Sequence, residues 1–140
     1  MKIVFSTSNS LYALLIKLVT KGKYTHCGIV VGNEVYEAKP FHGVVKSEYD
    51  PLDWACSVKI KIEEEQLNKI KKFLDSELGC GYDWFGVCRF LFKPLKSNKN
   101  KWFCSELVVE SLKKIKFFKK RIHSFNYSPQ SLYSFLLKKT

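Results

Sequence analysis

Two β-rich runs joined by Gly32-Asn33 constrain the fold of this chain more than any other feature. The runs cover residues 25–31 and 34–39 and are rich in β-branched and aromatic side chains. A Gly-Asn pair between two such runs is typical of a two-residue β-hairpin turn. We therefore predict an antiparallel hairpin in which Val31 and Glu34 flank the turn.

This register brings a histidine and a carboxylate onto one face of the hairpin. His26 is expected opposite Lys39, and Gly28 opposite Glu37. His26 and Glu37 are then diagonal neighbours, roughly 7–8 Å apart at the backbone and within reach of long side chains. The glycine leaves room for the pair, whereas a slip of one residue would send Glu37 to the other face. The register thus predicts a carboxylate that holds one nitrogen of the imidazole.

A cysteine begins the next informative segment, residues 102–108. Apolar or small residues recur at helical spacing from Cys104 onward, which predicts a helix that starts at or near this residue. A thiol in a first helical turn lies at the positive end of the helix dipole, which favours the nucleophilic thiolate. The simpler alternative is that Cys104 is a small buried core residue, the commoner fate of a free cysteine.

Together these residues match the nucleophile, base and orienting acid of a catalytic triad. Each residue alone has a simpler explanation. His26 could be a partly buried histidine with its hydrogen bonds satisfied, and Glu37 a solvated strand residue. His42 is the fallback base, although nothing in its spacing recommends it.

Several motifs resemble the circularly permuted NlpC-type papain-like cysteine peptidases and amidases. They are Thr-His-Cys-Gly-Ile-Val-Val, Val-Tyr-Glu-Ala, Gly-Tyr-Asp and Phe-Cys-Ser-Glu-Leu-Val, in that order along the chain. His26 precedes Cys104, which is the permuted order. The resemblance extends to residues 127–132, similar to the segment before the last helix of the family. It implies one permuted papain-like domain over residues 1–140.

The same resemblance implies roles for individual residues. Cys104 would be the nucleophile, His26 the base, Glu37 the third polar residue and Tyr82 a helper near the oxyanion. Substrates in such a family include peptide bonds of bacterial cell-wall stems, other amides and lipid esters. The chain departs from many relatives in having Trp102 and Phe103 before the cysteine and in lacking an initial Gly-Asp. Its nucleophile segment also differs from the Asn-Cys-Glu-His-Phe of a related lipid acyltransferase branch.

The remaining patterns predict an α+β protein with a small antiparallel sheet packed by helices. Beyond the hairpin we expect strands at residues 2–6, 43–46 and 57–62 and helices near 10–22, 63–78, 82–92, from 104 and from 128–129. Five cysteines without a Cys-x-x-Cys pair argue against a disulfide framework or a zinc site, so we expect no cofactor or metal. The apolar run at 11–16 is too short for a membrane span, and no signal peptide is recognisable, which predicts a cytoplasmic location.

The charge is strongly positive, with 24 Lys and Arg against 13 Asp and Glu. The cations concentrate in residues 93–101 and 113–121. Such surfaces attract nucleic acid, anionic lipid headgroups or acidic cell-wall polymers, although a merely solvated surface is an equal alternative. The competing hypothesis to a hydrolase is therefore a non-catalytic basic module that binds a polyanion on the same fold.

Overall fold

The computed structural model describes residues 1–8, 10–84, 100–119 and 121–140. These residues form a mixed α+β structure with a five-stranded antiparallel sheet and four helices. In chain order the elements are β1 (Lys2–Ser6), α1 (Leu11–Thr20), β2 (His26–Val31), β3 (Glu34–Lys39), β4 (Gly43–Glu48), β5 (Cys56–Lys59), α2 (Glu64–Ser76), β6 (Gly81–Tyr82), β7 (Lys101–Trp102), α3 (Cys104–Lys113) and α4 (Pro129–Lys139).

The five-stranded sheet has the order β4-β3-β2-β1-β5, and β6 and β7 form a separate parallel pair. Its central hairpin has the predicted register, in which Val31 lies opposite Glu34 and Ile29 opposite Tyr36. Gly32 begins the turn with a φ of 62°, a conformation that glycine adopts without a steric cost. The antiparallel hairpin expected from residues 25–39 is therefore confirmed.

The two faces of the sheet bury different sets of side chains. Along β2, Cys27, Ile29 and Val31 belong to the main core, where α3 packs against the sheet. Val30 points to the other face, into a small cluster that includes Trp54. Since side chains alternate along a strand, His26 belongs to the same face as Val30. The histidine thus lies beside Trp54.

Helix boundaries follow local capping signals. Ser10 caps α1 by accepting from the Ala13 N–H, and at α2 the Glu63 N–H donates to the Gln66 side chain. Ser128 caps α4, and Pro129 is its first helical residue, as the Ser-Pro pair predicted. Among the described residues, no helix has both the length and the apolar character needed to cross a membrane.

Two predicted elements differ from the structure. The strand expected at 57–62 is shorter, because β5 ends at Lys59. Tyr82, expected to begin a helix, is instead the last residue of the two-residue strand β6, where backbone pairing with Trp102 of β7 holds it extended. The rest of that predicted helix, residues 85–92, lies outside the described part of the chain.

Close backbone contact fixes β6 beside the main sheet. Gly43 has a φ of 71°, and a Cβ built on it would lie 2.1 Å from the Cys80 carbonyl oxygen. The neighbouring Val44 N–H donates to that same oxygen at 2.8 Å. Only glycine leaves space for this approach, which places Tyr82 next to the edge strand β4.

Candidate active site

Cys104 is the first residue of α3, with Phe103 as its N-cap. The Phe103 N–H donates to the buried Glu106 carboxylate at 3.2 Å, which satisfies a donor at the start of the helix. The adjacent Ser105 hydroxyl donates to the Tyr127 carbonyl oxygen. These contacts fix the first turn of α3, so the Cys104 thiol lies at the positive end of the helix dipole, as predicted.

His26 lies at the start of β2 and is held by a buried carboxylate. Its Nε2 is 2.7 Å from Oε2 of Glu37, a side chain that is only 4% exposed. The other oxygen of the carboxylate, Oε1, is 2.7 Å from Nζ of Lys39. Burial would raise the pKa of Glu37, but hydrogen bonds from His26 and Lys39 lower it, so the group is ionised. The contact between His26 and Glu37 that the hairpin register predicts is therefore present.

The pKa values of Cys104 and His26 move in opposite directions. Burial would raise the pKa of the Cys104 thiol, but hydrogen bonds with Cys27 and His26 and the charge of His26 lower it to about 5. Burial would lower the pKa of His26, but its hydrogen bonds with Cys104 and then Glu37 raise it to about 9. At neutral pH the two groups therefore form a thiolate–imidazolium pair.

Cys27 is a second thiol in the site. It follows His26 in β2 and is fully buried. Burial, together with the neighbouring Cys104, raises the pKa of Cys27 well above its usual value. Cys27 therefore stays protonated, and its interaction with Cys104 favours the Cys104 thiolate.

An indole ring covers the histidine. The ring of Trp54 stacks on His26 with centroids 5.8 Å apart and planes inclined by 21°. The room that Gly28 leaves is filled by this indole, since a Cβ at Gly28 would lie 3.2 Å from the Trp54 ring. From the sequence, this space is expected to accommodate the His26–Glu37 pair itself. The indole instead excludes water from one side of the imidazole.

A cavity of about 460 Å³ opens beside the histidine. His26, Glu37, Trp54 and Tyr82 contribute to its lining, as does the inner face of α1. Cys104 is 1% exposed and is not among the described residues that line the cavity. A carbonyl group could therefore reach the sulfur only after a neighbouring side chain moves.

The four predicted site residues differ in how closely they are grouped. Glu37 is hydrogen-bonded to His26, and His26 and Cys104 shift each other's pKa, whereas Tyr82 lines the cavity and packs with its ring centroid 6.1 Å from that of Phe103. His42, the fallback base, is exposed and its Nδ1 is 3.0 Å from the Pro40 carbonyl oxygen.

Three further residues of the site were not assigned roles from the sequence: Cys27, Lys39 and Trp54. The hairpin register already places Lys39 opposite His26, so its proximity to Glu37 could have been found. Cys27 is adjacent to His26, but alternation along a strand gives no reason to expect it beside the sulfur of Cys104. Nothing local marks Trp54, which reaches the site from the segment between β4 and β5.

Within the described part of the chain, no three His, Cys, Asp or Glu side chains are grouped so that they could hold a metal ion. Comparison of the sequence with protein-family models and with curated proteins gives no match.

Proposed function

We propose that this protein is a cysteine hydrolase with a permuted papain-like fold, which cleaves an amide, peptide or ester bond. The observation that supports it most is the 2.7 Å contact between His26 Nε2 and the buried Glu37 carboxylate, together with the opposed pKa shifts that His26 and Cys104 cause in each other. This arrangement supplies a nucleophile, a proton carrier and a group that orients the carrier. The order of the motifs, with the histidine before the cysteine, supports the permuted connection.

In this mechanism the Cys104 thiolate attacks the carbonyl carbon of the substrate, and a C–S bond forms as the carbonyl oxygen becomes an oxyanion. The Cys104 N–H, in the first turn of α3, has no acceptor within the helix and is available to this oxyanion. Tyr82, which lines the cavity, is the proposed second stabilising group. Collapse of the intermediate breaks the bond to the leaving amine or alcohol.

His26 carries the protons of both half-reactions. The imidazolium protonates the leaving group and leaves a thioester on Cys104 together with a neutral imidazole. The imidazole then removes a proton from water, which attacks the thioester and releases the acid product and the thiolate. Glu37 keeps Nε2 protonated and faces the second ring nitrogen toward the sulfur.

The burial of Cys104 favours a second candidate, a non-catalytic module that binds a polyanion through its lysines. A sulfur that is 1% exposed and lies outside the cavity lining is what a structural cysteine would show. The thiolate–imidazolium pair argues for the hydrolase, because strongly shifted pKa values of a neighbouring thiol and imidazole are typical of active sites. We therefore rank the hydrolase first.

A thiol-labelling experiment separates the two candidates. The protein is treated with a limiting amount of iodoacetamide near pH 6.5, at which an ordinary thiol with a pKa of about 8.5 is almost fully protonated. Mass spectrometry then compares labelling of Cys104 with that of the partly exposed Cys56 in the same molecule. The hydrolase proposal expects Cys104 to react faster, and to lose this advantage in His26→Ala but keep it in the matched control His42→Ala. Equal labelling of Cys104 and Cys56 in the unmodified chain would reject the proposal.

A further inference from the structure

Helix α1 exposes a row of leucines to solvent. Leu11, Leu14, Leu15 and Leu18 are 78%, 50%, 48% and 76% exposed. Their i, i+3, i+4 and i+7 spacing places them in one stripe about 100° wide on an α-helix. Apolar side chains clustered in this way mark a surface that meets a partner, unlike leucines scattered singly.

The opposite face of α1 is buried. Ala13 and Ile16 are buried and line the cavity beside His26. The helix therefore forms a wall of that cavity, with its inner face packed on the protein and its outer face apolar and uncovered. Packing within the described residues does not account for the leucines, since they lie on the face of α1 opposite the buried Ala13 and Ile16.

The charge around α1 indicates which partner this face would meet. Residues 1–33 contain four lysines and no aspartate or glutamate. Two of these lysines, Lys21 and Lys23, are exposed directly after the C-terminal end of α1. An apolar helix face beside cations is the pattern that binds anionic bilayers in the plane of the interface. A second copy of the chain fits less well, because each copy carries a net charge of +11.

We propose that the outer face of α1, together with Lys21 and Lys23, docks on the surface of an anionic lipid bilayer. The leucines enter the boundary between headgroups and acyl chains, to a depth of about 5–10 Å, while the lysines meet the anionic headgroups. Because α1 is also a wall of the cavity, docking brings the His26 cavity to the membrane surface. This proposal does not depend on catalysis by Cys104.

Vesicle binding tests the proposal directly. The full chain is sedimented with vesicles of phosphatidylcholine alone and with vesicles that also contain about 30% phosphatidylserine. We expect binding to the anionic vesicles only. The double variant Leu14→Ser, Leu18→Ser should weaken this binding at least about tenfold, because two side chains lose their burial in the bilayer. Circular dichroism checks that the variant is folded.

Two control variants carry the same types of substitution at positions away from α1. Leu137→Ser alters a leucine of α4 that is also about half exposed, and it should leave binding unchanged. Lys21→Gln with Lys23→Gln should weaken binding and its dependence on salt, whereas Lys72→Gln, which alters an exposed lysine of α2, should not. Failure to bind anionic vesicles, or equal binding by the folded serine double variant, would overturn the proposal. So would a dimer that this variant abolishes in sedimentation velocity, because the stripe would then meet a second copy.

Discussion

The Glu37 carboxylate is, after Cys104, the second group that raises the pKa of His26. One of its oxygens meets the imidazole and the other meets Lys39, so both acceptors point to cations. A buried carboxylate in this position stabilises the imidazolium and prevents rotation of the ring. In the proposed mechanism, Glu37 therefore acts on the Cys104 sulfur through His26.

We expect Glu37→Gln to lower the pKa of His26 from about 9 toward its ordinary value of 6.5, because the amide removes a negative charge at 2.7 Å. Turnover of a small ester should fall by roughly tenfold to a thousandfold, and by less than in Cys104→Ala, since an orienting group contributes less than the nucleophile. NMR titration of the His26 ring protons measures the first effect, and steady-state kinetics the second.

Glu34→Gln is the matched control for this change. Glu34 lies in the same strand, pairs with Lys46 at 2.9 Å and is partly exposed. Glu34→Gln changes the net charge by the same amount as Glu37→Gln, but Glu34 does not contact His26. Both the His26 pKa and turnover should therefore stay as in the unmodified protein. An unchanged His26 titration in Glu37→Gln would show that the carboxylate does not govern the histidine.

The opposed pKa values of Cys104 and His26 predict a bell-shaped pH profile. The acylation rate needs the thiolate, whose fraction rises through a pKa of about 5, and the imidazolium, which is lost through a pKa of about 9. We therefore expect kcat/KM for a small ester to be highest near neutral pH and to fall on both sides. In His26→Ala the acidic limb should move toward an ordinary thiol pKa of about 8.5. A single alkaline rise in the unmodified protein would exclude the ion pair.

At the scale of elements, the contact between β4 and the segment before β6 positions Tyr82. Gly43 allows this contact, because its positive φ and the nearby Cys80 carbonyl oxygen both exclude a side chain. A disturbance here would reach Tyr82, two residues beyond Cys80, and also Lys39, which lies opposite Gly43 and contacts Glu37 at 2.7 Å. Both ends of the cavity therefore depend on this contact.

We expect Gly43→Ala to destabilise the fold more than Gly32→Ala. Both glycines have positive φ, but a Cβ at Gly32 meets nothing within 4 Å, whereas one at Gly43 meets a backbone oxygen at 2.1 Å. Gly32→Ala should cost about 1–2 kcal/mol for the left-handed conformation alone, and Gly43→Ala roughly 1–3 kcal/mol more for overpacking. Urea denaturation measures both values. Equal losses would show that β4 and Cys80 separate without cost.

Elements whose signals are local were predicted well. The hairpin and the Ser128-Pro129 start of α4 each depend on neighbours within a few residues. The short strand at Gly81–Tyr82 could not be predicted in this way, because its partner strand lies about twenty residues further along the chain. Apolar residues after Tyr82 favoured a helix at this position, but pairing with Trp102 of β7 holds Tyr82 in a strand.

For the whole molecule, the positive charge is the feature that the hydrolase proposal does not use. Exposed cations follow α3 at Lys114, Lys116, Lys119 and Arg121, while Lys113 is paired with Glu110 at 2.7 Å. Most of the other lysine cluster, residues 93–99, lies outside the described part of the chain. These side chains remain candidates for binding a polyanion.

If these cations bind duplex DNA or a similar polyanion, affinity should fall steeply with salt. A contact set of about six charges would lose on the order of a thousandfold between about 50 and 200 mM salt, because bound counterions are released. The triple variant Lys116→Gln, Lys119→Gln, Arg121→Gln should reduce the slope of log K against log salt by about one for each contact removed. Fluorescence anisotropy measures the slope. Turnover of a small uncharged ester should be unchanged, and its collapse in a folded variant would place the cluster in the active site.

The sequence by itself determined the hairpin register, the position of Cys104 at a helix start and the contact between His26 and Glu37. These follow from alternation, turn chemistry and helical spacing, which act over short distances. Only the tertiary structure decided that Cys27 interacts with Cys104, that Trp54 stacks on His26 and that α1 forms a wall of the cavity with leucines outside. Such contacts join residues far apart in the chain, and their geometry depends on how the sheet and helices pack together rather than on any local pattern.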